Sequence, residues 1–237
     1  MLWARSLLFF TGMLISAILF SPLAVIGRLL PILPRMRFIA MWAKFITFWL
    51  RITCNIDHKV EGLEHLTKTP AVILSKHQSA WETIAFQTIF PPQTWVLKRE
   101  ALWIPFFGWG LASTKPIAIN RVARFRSLSQ LLEQGEKRLA EGRWIVIFPE
   151  GSRMKPGVRG HYSPGGAMLA ARTGTPIIPV AQNSGLHWGR RRFVKHPGTI
   201  RVCIGPAIQA QDRKVREVNS EAEEWIENKM KELPSET

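Results

Sequence analysis

The chain has 237 residues, 46% hydrophobic and 21% charged, a length and mixture that suit one compact domain with an appendage and exclude a disordered chain. Two cysteines, Cys54 and Cys203, offer neither a disulfide framework nor metal-ligand spacing and favour a reducing compartment. With 32 basic residues against 17 acidic ones the net charge is +15, so polyanionic partners are favoured, either nucleic acid or an anionic membrane surface.

The N-terminus bears on that choice. Residues Ser6 to Gly27 carry no charged side chain, and about 20 apolar residues are enough to cross a bilayer core. Arg5 and Arg28 flank this run, "LLPILP" and "RMR" interrupt it, and "FIAMWAKFITFWL" (Phe38 to Leu50) resumes it around Lys44. The run is long and lacks a small-residue cleavage site, which favours a retained anchor over a secretory signal. It reads as a single span or as a hairpin broken near Pro31 and Pro34. Residues 1–54 are therefore expected to form membrane-anchoring helices, with residues 55–210 as an α/β domain.

Short apolar runs then alternate with helical patterns. "AVILS", "TWVLK", "PIAIN", "RWIVIF", "TPIIPVA" and "TIRVCIG" read as strands. "AWETIAFQTIF" reads as a helix stopped by Pro91 and Pro92. "RFRSLSQLLEQGEKRLAEG" places Phe125, Leu128, Leu131, Leu132 and Leu139 at helical spacing before Gly142, and "GGAMLAARTG" is a shorter helix closed by Gly174. Residues 211–237 hold eight acids and five bases, leaving 27 bases against nine acids on the first 210. They predict a charged helix packed on the domain through Val215, Val218, Trp225, Ile226 and Met230. The fold class expected is α/β, a central mixed sheet flanked by helices, with an apolar helical anchor or hairpin in front.

"SKHQSAWETIAF" (Ser75 to Phe86) carries the first candidate chemistry. On one regular helix His77 and Glu82 would lie about 140° apart and would not meet. With His77 in the loop after a strand and Glu82 in the first turn of the next helix, the chain can fold the ring back onto the carboxylate. The carboxylate would then fix the tautomer and raise the basicity of the far nitrogen, and Ser79 can help cap the helix. The competing reading is a solvated histidine beside an ordinary helix start. Three further apolar runs end in polar groups: "IFPEGSR" with Glu150, Gly151 and Arg153, "IAINR" with Arg121, and "VLKRE" with Lys98. One base with an acid and several cations suit a phosphorylated substrate, whereas a solvated turn with a surface ion pair is the plainer reading of Glu150 and Arg153. "HWGRRRFVKH" (His187 to His196) fits an anionic headgroup contact, a nucleic-acid patch or a solvated loop.

His77 with an acid five positions on, "GWGLASTKPIAINR", "FPEGSR" and "TPIIPVA" stand in the order and approximate spacing of four sequence blocks of the glycerolipid acyltransferase family. The chain resembles that family from about residue 60 to 206, and in particular its bacterial members acting on 1-acyl-glycerol-3-phosphate. The resemblance implies that His77 takes the proton of the acceptor's free hydroxyl and that Glu82 orients His77. It implies that Arg121, Arg153 and Lys98 hold the acceptor phosphate, that Glu150 and Gly151 position the glycerol, and that "IIPVA" borders the donor channel. The family usually has Asp where this chain has Glu82, and often Thr where it has Ser152. The implied reaction moves a fatty acyl group from acyl-CoA or acyl carrier protein, a co-substrate and not a cofactor, to the 2-hydroxyl, giving phosphatidate. No metal and no nucleic-acid partner is expected. Membrane lipids and lysophosphatidate are the expected partners, at the inner (cytoplasmic) membrane with the site on the cytosolic side. A different lysolipid acceptor and a non-catalytic lipid-binding module are the rival readings.

Overall fold

A computed structural model describes residues 1–119 and 124–234, those at 98, 107, 124 and 125 by their backbone alone. The N-terminal apolar run folds as α1 (Leu2–Ile26), and α2 (Ile32–Cys54) returns beside it after a short 3-10 turn. Pro31 caps α2 and Pro34 falls in its first turn, where a missing N–H costs little. The two helices run antiparallel: Arg5 Nε donates to the Thr53 carbonyl at 2.6 Å, Trp42 Nε1 donates to Ser16 Oγ at 3.2 Å, and Phe20 stacks on Phe38. Asn55, with φ +54, closes α2 in the left-handed conformation that Asn tolerates. α1 is the one described helix long and apolar enough to cross a membrane, and little of it is buried.

The seven-stranded sheet has the order β1-β7-β6-β2-β5-β3-β4. Its strands are β1 (Ile56–Glu61), β2 (Val72–Ser75), β3 (Gln93–Lys98), β4 (Ile117–Ile119), β5 (Trp144–Ile147), β6 (Ile177–Gln182) and β7 (Gly198–Ile204). All neighbours are parallel except β6 and β7, so the sheet is mixed, as expected. Between the strands lie α3 (Trp81–Ile89), α4 (Phe107–Ser113), α5 (Arg124–Ala140), α6 (Gly165–Thr173) and the single turn α7 (Ser184–His187); α8 (Val215–Glu232) closes the chain.

Both faces of the sheet are covered, which is why its central strands read as continuous apolar runs. Ile73, Val146, Ile178 and Val180 pack with Phe9, Ala43, Ile46, Leu50, Trp81 and Phe86 from α1, α2 and α3. Their alternates Val72, Leu74, Ile145, Ile147 and Ile177 pack with Leu131, Leu139, Leu169, Val218, Ala222 and Ile226 from α5, α6 and α8. The N-terminal hairpin thus shares a core with the sheet. Of the apolar stripe expected on α8, Val218 and Ile226 are buried, while Val215, Trp225 and Met230 pack at its margin. Gly142 and Gly174 take φ +78 and +67, the left-handed turns that end α5 and α6.

β1 and α4 are among the elements that escape the sequence pattern. β1, at the sheet edge, alternates Ile56, His58 and Val60 with half-buried Asp57 and Glu61 and exposed Lys59, so it offers no apolar run. α4 contains Gly108 and Gly110, poor helix formers.

Candidate active site

β2 and β5 are parallel neighbours with Leu74 opposite Ile147. The loops at their carboxyl ends therefore emerge side by side, the usual place for a site in such a sheet. His77 lies in the first loop, and Glu82 lies in the first turn of α3. His77 Nδ1 stands 2.7 Å from Glu82 Oε2, so the ring folds back onto the carboxylate. The Glu82 side chain is fully buried. Its Oε1 accepts from the backbone N–H of Gln78 (2.8 Å) and Ser79 (2.7 Å), from Gln182 Nε2 (2.7 Å) and from Ser184 Oγ (2.8 Å). A carboxylate accepts only, so this ring of donors holds it in one orientation. Ser79 Oγ meanwhile accepts from the Trp81 N–H at 2.8 Å and tightens the helix start. The extra methylene of Glu, relative to Asp, is taken up within this cage.

With Nδ1–H donating to Glu82, Nε2 carries the lone pair, the form of an imidazole able to accept a proton. Phe148 stacks on the ring at 3.9 Å with an interplanar angle of 16°, fixing its second rotation. The His77 side chain keeps 15% of its surface exposed, and that part faces a cavity of about 1080 Å³. Its lining includes buried Ala24, Ile84, Trp95 and Leu131 with half-buried Trp42 and Leu111. It also includes half-buried Arg153 and exposed His161, Arg190 and Arg191. Arg190 Nη1 donates to the Arg153 carbonyl at 3.0 Å, joining the basic 187–196 loop to the loop after β5. The same basic loop clasps α1: the Lys195 N–H donates to Ser6 Oγ at 2.9 Å, and Phe193 packs on Trp3.

The residues picked out by the sequence divide. His77 and Glu82 meet. Gly151 and Arg153 line the same cavity, and Gly151 takes φ +66, which favours glycine at the turn after β5. Glu150 is placed otherwise. Its carboxylate is fully buried, with Oε1 2.8 Å from Lys76 Nζ and 3.0 Å from the Gly160 N–H, and with Oε2 accepting from the His77 N–H at 3.2 Å. Both of its oxygens accept from protein groups, and through Oε2 it holds the His77 peptide. Lys98 ends β3 and its side chain is outside the described residues; Arg121 is outside them altogether. β6, expected along a donor channel, is buried throughout and sends Gln182, with Ser184 just beyond it, to Glu82.

Sequence reasoning missed Lys76, Phe148, Gln182 and Ser184. Gln182 had a usable signal, a polar residue at the carboxyl end of an apolar strand. Cys54 and Cys203 are buried free thiols.

Comparison with known proteins agrees with this architecture. The family model described as Acyltransferase matches residues 57–183. Over 234 residues the chain is 43% identical to the 1-acyl-sn-glycerol-3-phosphate acyltransferase of Pseudomonas aeruginosa, covering 97% of this chain and 91% of that protein. It is 29% identical over 174 residues to a chloroplastic 1-acyl-sn-glycerol-3-phosphate acyltransferase of Arabidopsis thaliana, covering 70% of this chain and 48% of that one, so it spans about half the length of the plant relative. The crystal structure of the 1-acyl-sn-glycerophosphate acyltransferase from Thermotoga maritima superposes with a TM-score of 0.79 at 19% identity, over 97% of this chain and 95% of that chain, a likeness of fold.

Proposed function

Because the chain belongs to the acyltransferase family, we propose that it transfers a fatty acyl group from acyl-CoA or acyl carrier protein to the 2-hydroxyl of 1-acyl-glycerol-3-phosphate, giving phosphatidate. One observation carries the reading: a histidine locked onto a buried carboxylate lines a cavity whose walls combine buried apolar side chains with arginines. That combination suits a substrate with one hydrocarbon chain, one free hydroxyl and one phosphate.

In the proposed step His77 Nε2 takes the proton of the hydroxyl as its oxygen attacks the thioester carbonyl carbon. The tetrahedral intermediate collapses, the carbon–sulfur bond breaks, and the leaving thiolate takes the proton back from the imidazolium. The products are the ester and the free thiol. Glu82 holds the Nδ1–H and offsets the imidazolium charge while it exists. Arg153 binds the phosphate with its planar fork, joined by Arg121 and Lys98, and Gly151 borders the glycerol. No resident cofactor takes part.

The site would work at the inner (cytoplasmic) membrane, on its cytosolic side, where a soluble donor meets a lipid acceptor. Leu8, Leu14, Ile15, Leu19, Leu23 and Ile26 of α1 are exposed and would be covered by lipid. Both ends of α1 are tied to the body, through Ser6 to Lys195 and through Ser21 to the Phe106 carbonyl. A helix held along its length in this way favours lying in one leaflet over crossing the bilayer.

The test is acyl transfer in mixed micelles from labelled acyl-CoA, and separately from acyl carrier protein, to 1-acyl-glycerol-3-phosphate. Phosphatidate from the wild type and none from His77→Ala is expected. A wild type that makes no phosphatidate from either donor contradicts the reading.

A further inference from the structure

Lys76 immediately precedes His77, and its side chain is 2% exposed. An ammonium that leaves water needs an acceptor for each of its three donors. Lys76 Nζ finds them in Glu150 Oε1 at 2.8 Å, Glu227 Oε1 at 2.7 Å and the Val158 carbonyl at 3.0 Å. Glu227 lies on α8, 151 residues away in the chain. The Tyr162 hydroxyl donates to the same Glu227 oxygen at 2.8 Å. Burial, then the Glu227 carboxylate, pushes the Tyr162 hydroxyl well above the usual tyrosine range, so it remains a donor.

The cluster does not touch the cavity wall at His77, but it touches the His77 peptide. Glu150, held by Lys76, accepts the His77 N–H through its other oxygen at 3.2 Å, and the Met154 N–H donates to the His77 carbonyl at 2.8 Å. The peptide groups on both sides of the His77 Cα are thereby tied to the loop after β5, and the tie is anchored on α8. A buried ion cluster of this kind adds little net stability compared with an apolar filling, whereas losing one member leaves an unpaired buried charge. Its distinctive effect is to demand one geometry.

We propose that Lys76 and Glu227 are positioning residues for acyl transfer, through which α8 sets the placement of the His77 loop over the cavity. The inference rests on the reading of His77 as the base. Misplacing a catalytic group by about 1 Å can cost on the order of 10²-fold in rate, so the effect belongs in kcat and not in substrate binding.

The experiment uses the full chain in mixed micelles and measures kcat and both KM values below the melting temperature of each variant. Glu227→Gln removes the charge and keeps the shape, and Lys76→Arg beside Lys76→Met asks whether a cation restores function. Glu221→Gln, which breaks the pair between Glu221 on α8 and Arg213 just before the helix, controls for general loosening of α8. Glu227→Gln is expected to lower kcat about tenfold with both KM values within about twofold, and Glu221→Gln to behave as wild type. Should Lys76→Met not fold, Glu227→Gln decides alone. The inference is overturned if Glu227→Gln lowers the melting temperature yet keeps the wild-type kcat, or if it raises KM at unchanged kcat. Either result beside an inactive His77→Ala leaves the base assignment standing; an active His77→Ala removes the base assignment itself.

Discussion

The start of α3 and the loop after β5 each bring a buried carboxylate to His77, and they use it differently. Glu82 meets the imidazole at Nδ1, so it governs which nitrogen carries the proton. Glu150 meets the backbone N–H of the same residue, so it governs where the ring stands. Both side chains are fully buried, and each lies beside a motif that promises substrate chemistry. What separates them is the identity of the donors around them. Glu82 is ringed by neutral N–H and O–H groups, whereas Glu150 faces an ammonium. Burial of an acid near a base therefore does not by itself assign it a role; the atom it touches does.

His77→Ala removes the base and is expected to lower kcat by about 10³-fold or more with an unchanged fold, read by acyl transfer and circular dichroism. Glu82→Gln keeps the shape of the side chain and turns an amide NH₂ toward donors that need an acceptor. A fall of about 10²-fold in kcat is expected, together with a lower melting temperature. Combined with His77→Ala it should cost little more than His77→Ala alone, because the two residues act as one unit. In the other loop, Arg153→Ala should raise KM for the phosphate-bearing acceptor about thirtyfold, the loss of one charge-assisted contact, and leave KM for the donor nearly unchanged. Glu150→Gln should lower kcat about tenfold at constant KM, since it acts through the His77 peptide. Equal effects of Glu150→Gln and Arg153→Ala on acceptor KM would erase the distinction between the two loops. The smallest effect belongs outside the site: Leu19→Gln, on the exposed face of α1, should leave kcat in micelles unchanged and weaken partition onto anionic vesicles severalfold, read by cosedimentation.

The legible and illegible parts of the molecule differ in how local their signals are. β2, β5 and β6 are visible as apolar runs because helices cover both of their faces. β1 is not visible, because an edge strand can carry Asp57, Lys59 and Glu61 at little cost. The pairing of His77 with Glu82 is readable from five residues of spacing once a strand, a loop and a helix are placed in order. Arg153 and Gly151 are readable as polar groups just past a strand end. The commitment of Glu150 to Lys76 is not, because Lys76 reads as one more surface cation until α8 covers it. Glu227 belongs to a helix whose alternating charges look wholly solvated. Gln182 and Ser184 reach Glu82 only because β6 lies beside β2, an order set by the crossovers of the sheet and not by adjacency in the chain.

The ¹⁵N resonance pair of the neutral His77 ring tests most directly whether Glu82 sets the proton of His77 while Glu150 sets its place. It would be measured in the wild type, Glu82→Gln and Glu150→Gln. An Nδ1–H tautomer is expected in the wild type, with loss of that preference in Glu82→Gln and its retention in Glu150→Gln. An Nε2–H tautomer in the wild type, or the same spectrum from both variants, would contradict this division of roles.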